Sequence, residues 1–240
     1  QPHFTTHGFQ YAEVWGIDEA DVSSLRGIAI CAACAPAGTF SCSDERINKL
    51  YSNIVWGQRG NFHSIPTDCP QRDEGLGWTG DVQVFCKSAC YNMDCDAYFR
   101  KYLFDMEEAQ QPNGAYTDIA PVLRQDNGQI VLGSANAAWG DAGVIVAWNL
   151  YLYYADKDLL KRHYPSMKRH VDYLLSDGFD RQNRDSYGDW LNIDDAIPKQ
   201  VMCLAYMAYD TLLMSKMAGV LDYNEDQRRY ATEYGQLKMI

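Results

Sequence analysis

Residues 68–81 read Asp-Cys-Pro-Gln-Arg-Asp-Glu-Gly-Leu-Gly-Trp-Thr-Gly-Asp and place four carboxylates (Asp68, Asp73, Glu74, Asp81) around Arg72 and Trp78. Pro70, Gly75, Gly77 and Gly80 rule against a continuous helix or strand, so the segment reads as a shaped loop. Crowded carboxylates resist ionising together, which raises the pKa of at least one of them. A neutral carboxylic acid beside a tryptophan face is what protonating a glycosidic oxygen requires. The competing reading is a structural turn, with Asp81 as a helix N-cap, Arg72 paired to Asp68 or Asp73, and Trp78 in the core. That reading leaves Glu74 without a purpose.

The elements that must position this loop are mostly helices. Ser43 can cap a helix with Asp44 and Glu45 in its first turn, and Ile47, Leu50, Tyr51 and Ile54 follow at helical spacing. Asp81 can cap the next helix, through Val82, Phe85 and Ala89. Further helices are predicted at about 96–110, 141–155, 157–176, 199–218 and 225–238, with Pro165 starting a new helix or kinking its segment. The loop carrying Pro112, Gly114, Pro121, Gly128 and Gly133 is long enough to suggest function. Residues 1–40 differ: Phe9, Tyr11, Glu13 and the stretch Leu25–Cys34 lean towards strand, broken by Gly8, Gly16 and Gly27. They are too few to build a sheet covered on both faces and read as the end of a β-domain. The remaining 41–240 alternates helix and loop, the pattern of an α-helical toroid whose loops line a cleft at one end. Seven or eight helices are short of a closed double ring.

Composition excludes several classes. A formal net charge of −11 argues against nucleic acid, whose phosphates need clustered Lys and Arg. No apolar run is long enough to span a membrane. The eight cysteines include one Cys31-x-x-Cys34 pair, with no second pair at zinc spacing, and read as reduced structural thiols. Gly75-x-Gly77-x-x-Gly80 matches a dinucleotide fingerprint formally, but three acids precede it and no parallel-strand pattern surrounds it. The acids do not fit a calcium loop, and neither HExxH nor GxSxG is present. The chain opens within a strand-like stretch, so the sequence leaves its compartment unknown.

The run Asp68–Glu74 continuing through Leu76-Gly77-Trp78-Thr79-Gly80-Asp81 closely resembles the signature of glycoside hydrolase family 78 α-L-rhamnosidases. Ala138-Trp139-Gly140-Asp141-Ala142 and Tyr187-Gly188-Asp189-Trp190-Leu191 agree with it, as does Phe9-Gln10-Tyr11-Ala12-Glu13-Val14 with the last strands of that family's β-domain. The resemblance implies an (α/α)6 barrel, a short N-terminal β remnant, and inverting hydrolysis of terminal α-L-rhamnosides. It makes Glu74 the general acid and has Asp68, Arg72, Asp81 and Asp141 hold sugar hydroxyls or orient that acid. Trp78, Trp139 and Trp190 would wall the pocket; for the last two, a core position is nearly as good a reading. The implied partner is a rhamnose-containing oligosaccharide or glycoside, and the residues need no organic cofactor and no metal. Two departures stand out. Many members carry a basic residue where this chain has Gly75. The family's general base is a glutamate on a much later loop, expected beyond Ile240, and Asp141, Asp189, Asp194 and Asp195 do not match its motif. A sugar-binding barrel without catalysis, or a glycosidase for another sugar, are the alternatives.

Overall fold

The computed structural model describes residues 7–16, 18, 21, 23–70, 72, 74–181, 183–193 and 197–240. Asp73, Asp194 and Asp195 lie outside the described residues. Seven helices are present among those described: α1 Glu45–Asn61, α2 Thr79–Asn92, α3 Asp96–Ala109, α4 Ala142–Tyr154, α5 Lys157–Leu175, α6 Lys199–Val220 and α7 Asn224–Leu237. None is long and apolar enough to cross a membrane.

The local rules place most of these helices, and three details differ. The cap of α1 is Asp44 rather than Ser43, its extended backbone letting the carboxylate accept the Arg46 N–H at 2.9 Å. Helix α2 begins at Thr79, so Asp81 sits in its first turn instead of capping it. Tertiary partners replace the cap. The Thr79 N–H donates to the Asp118 carbonyl at 3.0 Å, and its hydroxyl reaches the carbonyls of Asp118 (2.9 Å) and Trp139 (2.8 Å). Helix α5 runs unbroken through Pro165. Its buried face continues on both sides, with Leu159, Leu160 and Tyr164 before the proline and Met167, Val171 and Leu174 after it. Burying each such side chain is worth about 1.5–3 kcal/mol, which outweighs the roughly 3 kcal/mol that a proline costs.

Helix α4 is apolar around its whole circumference, with Val144, Val146, Ala147 and Leu150 fully buried, and it occupies the centre. It packs between α2 and α6, while α3 and α5 cover it from outside and α7 covers α6. An inner row of α2, α4 and α6 backed by an outer row of α3, α5 and α7 is an arc of the (α/α)6 barrel expected from the sequence. Described residues of the segments leading into the three inner helices, within 62–78, 110–141 and 176–198, meet around one cavity.

The β remnant forms no strand ladder among the described residues of 7–40. The chain turns back on itself at Asp18, Asp21 and Ser24, and Phe9, Tyr11, Ile28 and Ile30 are exposed. Near the helices it finds partners outside itself: the Ala32 N–H donates to Phe62 O at 2.6 Å, and Pro36 bridges Met93. A strand needs a neighbouring edge for its N–H and C=O groups, and the helices offer little of one. Cys86, Cys90, Cys95 and Cys203 are buried in the core as free thiols.

Candidate active site

Three loops close around a cavity of about 260 Å³ lined by Asp68, Arg72, Glu74, Trp78, Asp81, Trp139, Tyr187 and Trp190. Seven of these are residues the sequence singles out, from stretches up to 122 positions apart (68 to 190). A wider cleft of about 640 Å³ shares Asp68, Asp81, Trp139 and Trp190 and adds Gln83, Asp189 and Tyr206.

The acidic loop is organised by Arg72. Its Nη2 lies 2.7 Å from Asp68 Oδ2 and 3.3 Å from Glu74 Oε2, with the arginine side chain more than half exposed. The indole N–H of Trp78 donates to Glu74 Oε1. The sequence predicts a tryptophan face beside the acid; the structure offers the indole edge, whose N–H can only donate. Glu74 therefore has one oxygen held by Trp78 and the other facing Arg72 and the cavity. The Asp81 carboxyl is pushed up by desolvation from the surrounding pocket walls and then by the neighbouring Asp68 carboxylate. Gly75 adopts left-handed backbone (φ 63°) with open space around it, a position where a side chain larger than hydrogen is strained.

The aromatic wall is built edge to face. Tyr187 lies at its centre, its ring 4.6 Å from Trp139 and 6.1 Å from both Trp78 and Trp190. The indole of Trp139 rests on the first turn of α2, so close that a Cβ at Gly80 would come within 2.5 Å of it. Trp190 is 64% exposed, which places it at the rim rather than in the core.

Asp141 is not brought to the cavity. Ala138 takes a left-handed conformation (φ 75°), which turns Trp139 outward while the Asp141 carboxylate folds back to accept the Ala138 N–H at 2.8 Å. Asp141 is fully buried and bonded to Arg184, which also donates from Nε to Ala135 O at 2.8 Å. Burial disfavours charge on Asp141, yet Arg184 and the nearby His170 hold its carboxyl well below the usual range. Burial and the facing Asp141 push Asp210 far above that range. Burial also lowers His170.

Asp141, His170 and Asp210 each offer an atom within 4.8 Å of the others, a spacing that suits a cation. The Tyr116 N–H donates to His170 Nδ1 at 3.2 Å, however, which leaves the ring hydrogen on Nε2, the nitrogen facing the acids. With that lone pair absent and a guanidinium already on Asp141, the cluster does not fit a metal ion. It ties the loop of Trp139 to the loop of Tyr187, helped by the Ala137 N–H on Asp185 O at 3.0 Å.

Four residues of this assembly have no local signal in the sequence: Asp118, Arg184, His170 and Asp210. Tyr187 stands in a quoted motif, but its place in the wall follows only from the fold.

A family model described as the bacterial α-L-rhamnosidase six-hairpin glycosidase domain matches residues 35–240. An α-L-rhamnosidase of Streptomyces avermitilis is 44% identical over 221 residues, covering 91% of this chain and 21% of that protein. One from Formosa agariphila is 34% identical over 244 residues, covering 97% of this chain and 26% of its own length. Among solved structures, the S. avermitilis α-L-rhamnosidase complexed with L-rhamnose superposes with a TM-score of 0.80 at 41% identity, covering 87% of this chain and 20% of that one. The chain thus spans about a quarter or less of the length of these relatives.

Proposed function

This chain belongs to the bacterial α-L-rhamnosidase six-hairpin glycosidase family, and on that premise we propose that its cavity holds the terminal α-L-rhamnosyl group of a glycoside undergoing hydrolysis. One observation carries the reading: Glu74, three further charged groups (Asp68, Arg72 and Asp81) and three tryptophans converge on one cavity from the loops before α2, α4 and α6 and from the first turn of α2.

In this reading Glu74 is the general acid. Its Oε1 is engaged by Trp78, so the proton for the leaving oxygen travels on Oε2, the oxygen facing the cavity. Arg72 aligns Asp68 and Glu74, and Asp68 accepts sugar hydroxyls. Asp81, beside Asp68 in the same lining, can hold a further hydroxyl. Trp78, Trp139 and Trp190 offer apolar surface to the C–H face and methyl group of the sugar. Asp141 serves the site indirectly, by holding the Trp139 loop.

Inversion needs a second carboxylate, roughly 6.5–9.5 Å from the acid, to activate water. We assign that role to the part of the full-length protein outside this chain, and assign residues 7–40 to the edge of a β-domain there, which would cover Ile28 and Ile30.

The test is hydrolysis of an aryl α-L-rhamnoside by the full-length protein, with the released sugar followed by NMR. Release of the β-anomer first is expected. Initial α-anomer would overturn inversion, and rhamnose binding without turnover would reassign the pocket to sugar binding alone.

A further inference from the structure

Asp118 lies in the long loop before α4, outside every motif, and is fully buried. Its Oδ2 accepts the Tyr187 hydroxyl at 2.8 Å and the Asn136 amide. Its carbonyl receives both the N–H and the hydroxyl of Thr79, and its N–H donates to Gly133 O at 3.1 Å. Gly133 keeps the room this requires, since a Cβ there would stand 2.4 Å from Asp118 Oδ2. One residue therefore touches the acid loop at the start of α2, the Trp139 loop through Asn136, and the Tyr187 loop. Its other oxygen, Oδ1, is buried with no hydrogen-bond partner among the described residues. A buried carboxylate with an unmatched oxygen is an expensive way to fill space, because burying charge or unpaired polar atoms is unfavourable. Its return is geometric: a phenol donating to a carboxylate is held more firmly than one donating to a neutral acceptor.

We infer that Asp118 is a positioning residue of the sugar pocket, acting through the Tyr187 hydroxyl to fix the ring around which Trp78, Trp139 and Trp190 are set. The inference rests on the rhamnoside reading above and deepens it. Asp118 touches no substrate; Tyr187 carries its effect to the wall.

The experiment compares wild type, Tyr187→Phe, Asp118→Asn and Asp118→Ala in the full-length protein. It uses aryl α-L-rhamnosides with good and poor leaving groups and records Tm alongside. Tyr187→Phe keeps the ring and removes only the hydroxyl. KM is expected to rise about tenfold, the scale of one hydrogen bond to a charged group. The loss in kcat/KM should be the same for both leaving groups, because the wall acts on the sugar and not on the departing oxygen. Asp118→Asn keeps an acceptor for Tyr187 and should lie nearer wild type than Asp118→Ala. If Asp118→Ala does not fold, Tyr187→Phe still decides. A lower Tm with wild-type KM would make the pair merely structural and overturn the inference while the rhamnoside reading stands. A wild-type protein that neither binds nor cleaves rhamnosides would remove that reading and this inference together.

Discussion

In the buried core, Arg184 meets Asp141 while His170 and Asp210 close around the pair; in the cavity, Arg72 meets Asp68 and Glu74 with more than half of its side chain in solvent. The residue types are nearly the same and the consequences differ. In the buried set the groups are driven apart: Arg184 and His170 hold the Asp141 carboxyl low despite its burial, burial beside Asp141 pushes Asp210 up, and burial lowers His170. Its product is a fixed loop. In the open set the acids outnumber the arginine and face empty volume, so they remain available to a ligand. Solvent access, more than residue identity, divides the carboxylates that hold the site from those that use it.

Breaking the buried set should have the largest effect on stability. Arg184→Ala strands Asp141 without its cation, and removing one partner of such a pair costs about 3–5 kcal/mol. Denaturant unfolding should show that loss. A change under 1 kcal/mol would mean that the cluster is not the anchor described here.

A smaller effect is expected where the two regions touch. Gly80→Ala pushes a methyl group into the Trp139 ring, an overpacking worth about 1–3 kcal/mol. L-rhamnose affinity, measured by calorimetry on the full-length protein, should weaken with it. Unchanged affinity would take Trp139 out of the pocket wall.

The smallest effect is pH-dependent. The folded pKa of His170 is lowered, so as pH falls through about 6.5 the unfolded chain gains a proton that the folded chain does not. Stability contributed by His170 is therefore full above that value and lost below it, with a slope of at most about 1.4 kcal/mol per pH unit. His163, also lowered, works in the same sense, while Asp81, Asp118 and Asp210, all raised, oppose it. The discriminating quantity is thus the difference between wild type and His170→Asn. The deficit of the variant should shrink from pH 7 to pH 5, and a constant deficit would contradict a buried neutral His170.

The open site was largely legible because its parts are contiguous: the acidic loop, Trp139 and Trp190 each sit in a short motif. The helices were legible because their apolar period is local. Asp141 was misplaced, since which way a side chain turns after Trp139 depends on the left-handed Ala138, a conformation that alanine does not advertise. Asp118, Arg184 and Asp210 could not be read, as the contacts that place them, apart from those of Asp118 with Asn136 and Gly133, span 39 or more positions. The strand-like residues up to 40 carry β-leaning side chains, but a ladder needs an edge that propensity does not supply.

The central claim is that Glu74 delivers the proton to the leaving group in a pocket otherwise built to hold the sugar. Its most direct test is kcat/KM of Glu74→Gln in the full-length protein across aryl α-L-rhamnosides of rising leaving-group pKa. The account predicts a loss of about 10²–10⁴-fold for poor leaving groups, nearly vanishing for the best ones, with KM little changed. A uniform loss across the series, or full activity on poor leaving groups, would contradict it.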